Sequence, residues 1–344
     1  MSPMRRHLLG ASAAMVTVAL AIGAAQAATE IKFAIEMFEG DNPEYNALVR
    51  FKKYVEFKSN GELEVRLFPG NQLGSARDTA EMVQQGTLEM AFPSDGALAG
   101  FYPPIQVWSV PYMFTSAPVA WEVMNSDFAR KMMRDMTETT GIRALAFSEN
   151  GFRSFTNNVR EIRTPEDMAG MKIRTMESPV YMRMVEALGA SPTPIAGSEA
   201  VMAVKQGVVD GQENPPSVVY SGGMGDVQKY YTINEHVLGL HIIVTNDEWF
   251  KGLPEGHQRI ITDGAQLMAW TENLQKTEGD WKYTELLAQE KGMVVHVSTP
   301  EEKEQFKKAT HEPVKAYITE QVGAPLVQEL EAAVAAAEQK LYVD

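Results

Sequence analysis

The stretch from Met171 to Pro216 constrains the fold of this chain more than any other part of the sequence. Its hydrophobic pattern predicts a strand, a helix, a short extended run, a second helix, a strand and a turn, in that order. Ser178-Pro179 is typical of a helix start, and Gly189 is typical of a helix end. Alternating strands and helices predict α/β crossovers, which bring strand ends and the loops after them to one crevice.

The residues before this stretch predict a first α/β unit. Apolar runs predict strands over Ile31 to Ile35, Leu63 to Leu67, Leu88 to Phe92 and Ile142 to Phe147. One helix is predicted from Val119 to Met136, and Ser148 to Gly151 reads as the point where the chain leaves the first domain.

The residues after the stretch predict a return to the first sheet. Gly239 to Thr245 is an apolar strand, and Pro254 begins a helical segment that reaches about Lys291. No linker rich in Gly, Ser or Pro separates the units, which favours a hinged pair. We therefore predict an α/β fold of two domains with a cleft between them and a long helix that spans both. The predicted boundaries are 28–150 plus 240–279 for domain I, and 151–239 plus 280–344 for domain II.

The first residues predict export. Arg5-Arg6, an apolar run from Leu8 to Ala25, and Ala25-Gln26-Ala27 together form the pattern of a cleavable signal peptide over residues 1–27. A membrane anchor is the alternative, but the run is rich in small residues and barely long enough to span a bilayer. The paired arginines also resemble a twin-arginine signal, so the Sec and twin-arginine routes both stay open. The expected location is the periplasm.

Two features of the composition exclude classes of function. The chain has no cysteine, which excludes disulfides, thiol catalysis, thiolate metal sites and a lipid anchor on cysteine. Its formal net charge of −14 disfavours binding to nucleic acid and to anionic lipid. Any anion site must therefore be built from a few local cations in a screened cleft.

Several motifs, in order along the chain, resemble one protein family. FPGNQLGSARD, NGFRSFTN, IRTMES, GASPTP and VVDGQENP are similar to segments of the DctP family, the solute-binding proteins of TRAP transporters. The resemblance covers nearly the whole chain after residue 27. It implies a periplasmic receptor that captures an organic acid by domain closure and delivers it to a membrane permease. It implies no covalent step and no cofactor.

Three residues are the leading candidates for ligand binding. The Arg174 guanidinium has a planar fork suited to a carboxylate, although an arginine near a strand is more often paired with an internal carboxylate. By resemblance, Arg174 matches the arginine that grips the ligand carboxylate in the family. Arg153 matches a second arginine of the site, and Asn214 matches the Asn of the family's QEN element. Without the resemblance, Arg153 reads as a cation–π or surface residue, and Asn214 as a turn residue.

A wider set of residues is expected to reach the same cleft because it follows predicted strands. Each could equally be an ordinary loop residue. The set is Glu36, Gln72, Ser94, Asp95, Met176 and Glu177. Carboxylates in a ligand site accept hydrogen bonds from hydroxyls and repel a second carboxylate. Gly197 also stands where sialic-acid binders of the family carry Phe, so a hexuronate or aldonate is favoured. Succinate or malate is the alternative.

Two other classes of function remain as alternatives, a periplasmic enzyme acting on an acid and a sensor-input protein. The enzyme needs a base beside Arg174, and no histidine is near Arg174 in the sequence. H-E-x-x-H, G-x-S-x-G and phosphate-loop motifs are absent. His236 and His241 are not at the spacing of metal ligands on one helix face. We therefore expect no metal, no cofactor and no enzymatic activity.

Overall fold

The computed structural model describes residues 28–343, so the predicted signal peptide lies outside the described residues. Nine strands of the described chain form one sheet. They are β1 (Thr29–Ala34), β2 (Leu63–Phe68), β3 (Met90–Ala91), β4 (Ile142–Asn157), β5 (Lys172–Thr175), β6 (Ser191–Pro194), β7 (Gly211–Asn214), β8 (Tyr230–Asn246) and β9 (Val294–Val297). Their order is β2-β1-β3-β8-β4-β7-β5-β6, and β9 pairs with β8.

Helices cover the sheet and fill the chain between its strands. They are α1 (Pro43–Lys58), α2 (Ala76–Gln84), α3 (Asp95–Leu98), α4 (Ala117–Met124), α5 (Asp127–Thr140), α6 (Pro179–Ala187), α7 (Gly197–Lys205), α8 (Pro216–Ser221), α9 (Asp247–Gly252), α10 (Glu255–Gln289), α11 (Pro300–Val322) and α12 (Ala324–Tyr342). Short 3₁₀ turns cover Pro103–Ser109, Pro165–Met168 and Met224–Asp226. The α/β class predicted from the sequence is confirmed.

Strands β4 and β8 run antiparallel through both halves of the sheet. At one end Met90 of β3 pairs with Thr245 of β8, and at the other Asn214 of β7 pairs with Ser154 of β4. Both strands are much longer than the runs predicted from the sequence. The sequence analysis ends the fourth strand at Phe147, but Ser148 to Gly151 continue β4. That the chain leaves the first domain at these residues remains a prediction. A register shift between Glu149 and Gly151 marks a bulge there, and a bulge bends a strand without ending it.

Parallel pairing brings the ends of the short strands together. β1 is parallel to β2 and β3, and β5 is parallel to β6 and β7. Within each group the carboxyl ends therefore lie at the same edge. In open α/β sheets the loops that follow these ends line the crevice where ligands bind.

The long helix predicted from about Pro254 to Lys291 is confirmed as α10. It packs against α1 on one side and α8 on the other. Its Lys276 is buried between these helices and bonds the Glu44 carboxylate of α1 and the Ser217 hydroxyl of α8, the latter at 2.9 Å. α10 therefore connects both halves of the chain.

The prediction of a single helix from Val119 to Met136 was wrong, because α4 ends at Met124 and α5 begins at Asp127. Asn125 ends the first helix, and the Ser126 side chain caps the second.

The C-terminal helix α12 packs on α4 and α5, which the predicted boundaries assign to the other domain. Those boundaries remain a prediction.

The apolar core forms three clusters around the sheet. The largest surrounds Trp108, whose ring packs against Phe114, Phe128 and Phe147 at 5.3 to 5.7 Å between ring centroids. A second lies between β1, β2, α1 and α10, and a third lies between α7, α8 and the start of β8.

Within the described part of the chain, no helix combines the length and the apolar character that a membrane crossing needs.

Glu149 gives the fold a specific pH dependence. It is fully buried in β4, its Oε2 accepts a hydrogen bond from Trp121 Nε1 at 2.7 Å, and its Oε1 has no donor among the residues that the structure describes. Burial raises the pKa of Glu149 to about 8. In the unfolded chain a glutamate has a pKa of about 4.3, so above that pH the folded protein holds a proton that the unfolded chain has lost. The free energy of unfolding should therefore fall as pH rises from about 4.3 to 8.

We predict that Glu149→Gln, which stays neutral, raises the free energy of unfolding at pH 7 by about 1–3 kcal/mol and flattens its decrease with pH. Urea unfolding at pH 5, pH 7 and pH 8 measures both effects. Glu138→Gln, on the exposed face of α5, is the matched control and should change neither quantity by more than about 0.5 kcal/mol. Equal pH profiles for wild type and Glu149→Gln would contradict an uncharged Glu149.

Candidate functional site

A cavity of about 380 Å³ lies where the carboxyl ends of the parallel strands meet the middle of β4 and β8. Its volume is in the range typical of sites for small molecules. Seven of the nine predicted site residues line it. They are Arg174, Arg153, Asn214, Glu36, Ser94, Met176 and Glu177.

Arg174 stands out electrostatically among them. It lies on β5, is 3 % exposed, and its Nε donates to the Ile195 carbonyl at 2.7 Å. Three lysine or arginine side chains are buried in residues 28–343, namely Arg153, Arg174 and Lys276. The other two are paired with carboxylates, whereas no described carboxylate lies within 4.0 Å of Arg174. Burial lowers the pKa of Arg174 to about 10, so it stays charged at neutral pH.

Arg153 lies beside Arg174 but is already neutralised. Its Nε and Nη2 bond the Glu213 carboxylate, the latter at 2.8 Å, and Nη2 also donates to the Glu213 carbonyl at 2.7 Å. Burial opposes the charge on Arg153, but the Glu213 carboxylate raises the pKa of Arg153 above its ordinary value. Arg153 in turn lowers the pKa of Glu213 to about 2 although burial opposes this. The sequence analysis predicted no carboxylate partner for Arg153.

His236 completes this buried group. Its Nε2 lies 3.5 Å from Glu213 Oε2, its Nδ1 lies 2.9 Å from Asn234 Oδ1, and its ring stacks on Phe155 at 4.2 Å between centroids. Burial lowers the pKa of His236 even though Glu213 opposes this. The group therefore holds Arg153 rigidly against the cavity wall.

Asn214 reaches the cavity from the end of β7. Its Nδ2 donates to Gln212 Oε1, and its backbone carbonyl accepts from the Tyr231 hydroxyl at 2.9 Å. Ser154 of β4 pairs with it in the sheet. Asn214 is thus positioned by backbone pairing as well as by its amide.

Glu36 and Gly197 face each other across the cavity. Glu36 follows β1, and Gly197 is the first residue of α7. A Cβ on Gly197 would lie 2.9 Å from Glu36 Oε1 and 3.7 Å from Arg174 Nη2. Burial raises the pKa of Glu36, although Arg174 acts against this. The absence of a side chain at position 197 therefore leaves room where a carboxylate and a guanidinium approach each other.

Ser94, Met176 and Glu177 close one side of the cavity. Ser94 follows β3, and its hydroxyl lies 3.5 Å from the Met176 sulfur. Both side chains are buried, whereas Glu177 is exposed at the rim. These residues join the two groups of parallel strands.

Two predicted residues do not line the cavity. Gln72 is exposed in the loop after β2, a strand at the outer edge of the sheet. Asp95 is buried behind the wall, where it accepts from Ser109 Oγ at 2.7 Å, Tyr181 OH at 3.1 Å and Leu240 N at 3.3 Å. These donors engage its carboxylate, so the geometry gives Asp95 a structural place behind the site.

The sequence analysis missed several residues of the cavity wall. Asn150, Arg77, Glu44 and His241 all line it. Asn150 lies in a motif that resembles the family, which was the available signal. His241 lies within an apolar run, and Glu44 lies on a helix, so neither pattern points to a cavity. No histidine is near Arg174 in the sequence, but the fold brings His241 to the same cavity.

Glu44, His241 and Glu272 offer ligand atoms that lie within 4.8 Å of one another, a spacing that could hold a metal ion. However, Lys276 is bonded to Glu44, and Ser148 donates to Glu272. Lys276 balances the charge of Glu44, and both oxygens of Glu272 have partners, since His241 Nδ1 lies 2.8 Å from its Oε1. The cluster therefore carries less uncompensated negative charge than two free carboxylates would.

Comparison with known proteins gives consistent matches. The model of bacterial extracellular solute-binding protein family 7, DctP, matches residues 35–321. The C4-dicarboxylate-binding periplasmic protein DctP of Rhodobacter capsulatus is 32% identical over 329 residues, 90% of this chain and 97% of that protein. The sugar acid binding protein DctPAm of Advenella mimigardefordensis, solved with galactonate, has a TM-score of 0.86 at 26% identity and covers 90% of this chain and 99% of its own. A TRAP periplasmic solute binding protein of Shewanella oneidensis with bound succinate has a TM-score of 0.84 at 26% identity, over 90% of this chain and all of its own.

Fold, cavity and matches together define a two-domain α/β solute-binding protein. The chain belongs to the DctP family, the solute-binding proteins of TRAP transporters. The resemblance read from the sequence motifs is thereby confirmed.

The Arg153–Glu213 pair generates a stability prediction. Glu213→Gln removes the charge that compensates a buried guanidinium, and breaking such a pair costs about 3–5 kcal/mol of unfolding free energy. Glu161→Gln, which breaks the exposed pair with Arg163, is the control and should cost less than about 1 kcal/mol. Urea unfolding of both variants without ligand makes the comparison. Equal small losses would show that Arg153 does not depend on Glu213.

Proposed function

We propose that this protein captures a small organic-acid anion in the periplasm and delivers it to the membrane permease of a TRAP transporter. The favoured ligand is a sugar acid such as a hexuronate or an aldonate. The observation that carries the proposal is Arg174, a buried guanidinium on the cavity wall with no carboxylate of residues 28–343 within 4.0 Å. A ligand carboxylate supplies the compensating negative charge and accepts hydrogen bonds from the two terminal nitrogens of the Arg174 guanidinium.

The charges around the cavity favour one carboxylate over two. Arg153 is neutralised by Glu213, so among the buried cations that the structure describes Arg174 is the one left to balance a ligand charge. Glu36 and Glu177 also line the cavity, and each repels a second carboxylate but accepts hydrogen bonds from hydroxyls. A polyhydroxylated monocarboxylate satisfies this arrangement better than a dicarboxylate.

Both ligand classes occur among similar proteins. The structure from Advenella mimigardefordensis contains galactonate, which supports the favoured class. The Rhodobacter capsulatus relative is named for C4-dicarboxylates and the Shewanella oneidensis structure contains succinate, so succinate or malate remains the alternative. We propose binding without chemical change, since the matched relatives are solute-binding proteins. Recovery of the bound acid unaltered separates this function from that of an enzyme.

We further propose that the domains, 28–150 plus 240–279 and 151–239 plus 280–344, close on the ligand. Ser94 meets Met176 across the cavity, and Gly197 meets Glu36. An anion that bridges the two sides stabilises the closed form over the open one and so shifts the population toward it. The closed form is then the species that the permease recognises. Nucleic-acid binding and membrane insertion form no part of this proposal.

The role of Arg174 generates a binding prediction. Arg174→Lys keeps a positive charge but loses the two-pronged contact, so we expect binding of the carboxylate ligand to weaken by about 2–4 kcal/mol. Isothermal titration calorimetry on refolded, ligand-free protein measures the loss. Arg183→Lys, on the exposed face of α6, is the control and should bind as wild type does. Unchanged affinity in Arg174→Lys would remove Arg174 from the site.

The ligand class generates a second prediction. In titrations of galacturonate, galactonate and succinate at equal pH and salt, we expect a sugar acid to bind at least tenfold more tightly than succinate, a difference of about 1.4 kcal/mol. The reason is that Glu36 and Glu177 accept from hydroxyls and repel a second carboxylate. Micromolar binding of succinate without detectable binding of either sugar acid would establish the dicarboxylate alternative.

A further inference from the structure

His241 is held in one orientation at the cavity wall. It lies on β8, next to Ser148 of β4 in the sheet, and its ring packs on Phe92 at 4.7 Å between centroids. Its Nδ1 lies 2.8 Å from Glu272 Oε1 on α10. Glu272 is fully buried, and its other oxygen accepts from the Ser148 hydroxyl. The imidazole is therefore clamped on one side by a carboxylate that is itself fixed.

This clamp determines the chemistry of the other ring nitrogen. A carboxylate beside Nδ1 accepts a hydrogen bond, so Nδ1 carries a proton; when the ring is neutral, Nε2 is therefore an acceptor. No described residue bonds Nε2, whereas the residue itself lines the cavity. Nε2 thus offers a lone pair at the site of the proposed ligand.

Neighbouring wall residues are also acceptors that lack donors. Glu44 Oε2 and Asn150 Oδ1 are buried and have no hydrogen-bond partner among the described residues. Both residues line the same cavity as His241. A wall of unpaired acceptors suits a ligand that brings hydrogen-bond donors, and it does not suit a second carboxylate.

We propose that Glu44, Asn150 and His241 form a hydroxyl-binding wall, in which His241 Nε2 is the specificity-determining contact and Glu272 is its positioning residue. The inference rests on the proposed function, because it assigns the hydroxyls of the acid that Arg174 holds. These three residues would explain why the protein binds polyhydroxylated acids more tightly than dicarboxylates. It also gives the Glu272–His241 pair a role in binding.

His241→Asn is the sharpest test. Asn keeps a donor near the position of Nδ1, so Glu272 remains satisfied, but it removes Nε2. His241→Gln instead places an amide near the position of Nε2 and is expected to retain part of the function. His257→Asn is the control, since His257 bonds Glu62 on the protein surface. Circular dichroism and thermal unfolding show whether each variant is folded before titration.

We expect His241→Asn to bind galactonate or galacturonate about tenfold more weakly than wild type, the effect of one hydrogen bond, and to bind succinate as wild type does. The affinity of His241→Gln for the sugar acids should lie between those of wild type and His241→Asn, and the affinity of His257→Asn should equal that of wild type. Equal loss for sugar acid and succinate, or no loss for either, would overturn the hydroxyl-binding wall while leaving a carboxylate-binding protein in place. Wild-type protein that binds succinate but no sugar acid would overturn the wall too. Wild-type protein that binds none of these acids would refute the proposed function as well.

Discussion

The charge on Arg174 is the constraint on which the site depends. A guanidinium removed from water without a compensating carboxylate costs several kcal/mol, and a single bond to the Ile195 carbonyl offsets only part of this cost. The fold holds Arg174 there because β5 is paired on both sides, by β6 and β7. A carboxylate that enters the cavity offsets this electrostatic cost, and the relief of the cost contributes to affinity. The neighbouring Arg153 contributes little to this, because Glu213 already balances it.

The topology of the sheet explains why so many polar groups meet at one place. Carboxyl ends of β1 and β3 supply Glu36 and Ser94, and those of β5 and β7 supply Arg174 and Asn214. Strands β4 and β8 pass between the two groups and add side chains from their middle. α10 lies behind these strands and fixes them through Glu272 and Lys276. One sheet thus positions much of the wall through main-chain pairing, and helices α1 and α7 add Glu44 and Gly197.

Sequence reasoning predicted the α/β class, the long helix and seven residues of the wall, because strand ends, helix caps and family motifs leave local patterns. It ended the fourth strand at Phe147, whereas β4 continues through Ser148 to Gly151 as far as Asn157. These residues are polar because they bond α10: Ser148 donates to Glu272, and the Glu149 amide donates to Asn273 Oδ1 at 2.7 Å. Tertiary partners more than a hundred residues away supply what a local pattern does not show.

The same limit applies to individual site residues. His241 read as part of an apolar core strand, because its partner Glu272 lies on a different element. Asp95 read as a cavity residue, because the three donors that enclose it come from distant segments. Gln72 follows a strand that lies at the sheet edge, a position that only the strand order reveals. Partner identity and strand order are properties of the folded chain, and neither is encoded in a short window.

The most direct test of the account is a crystal structure of the protein with the organic acid that binds it most tightly. The account predicts that the ligand carboxylate lies within about 3 Å of the terminal nitrogens of Arg174. Arg153 should remain paired with Glu213 in that structure. A ligand whose carboxylate lies away from Arg174, or an Arg174 that turns to a protein carboxylate when ligand is bound, would contradict it.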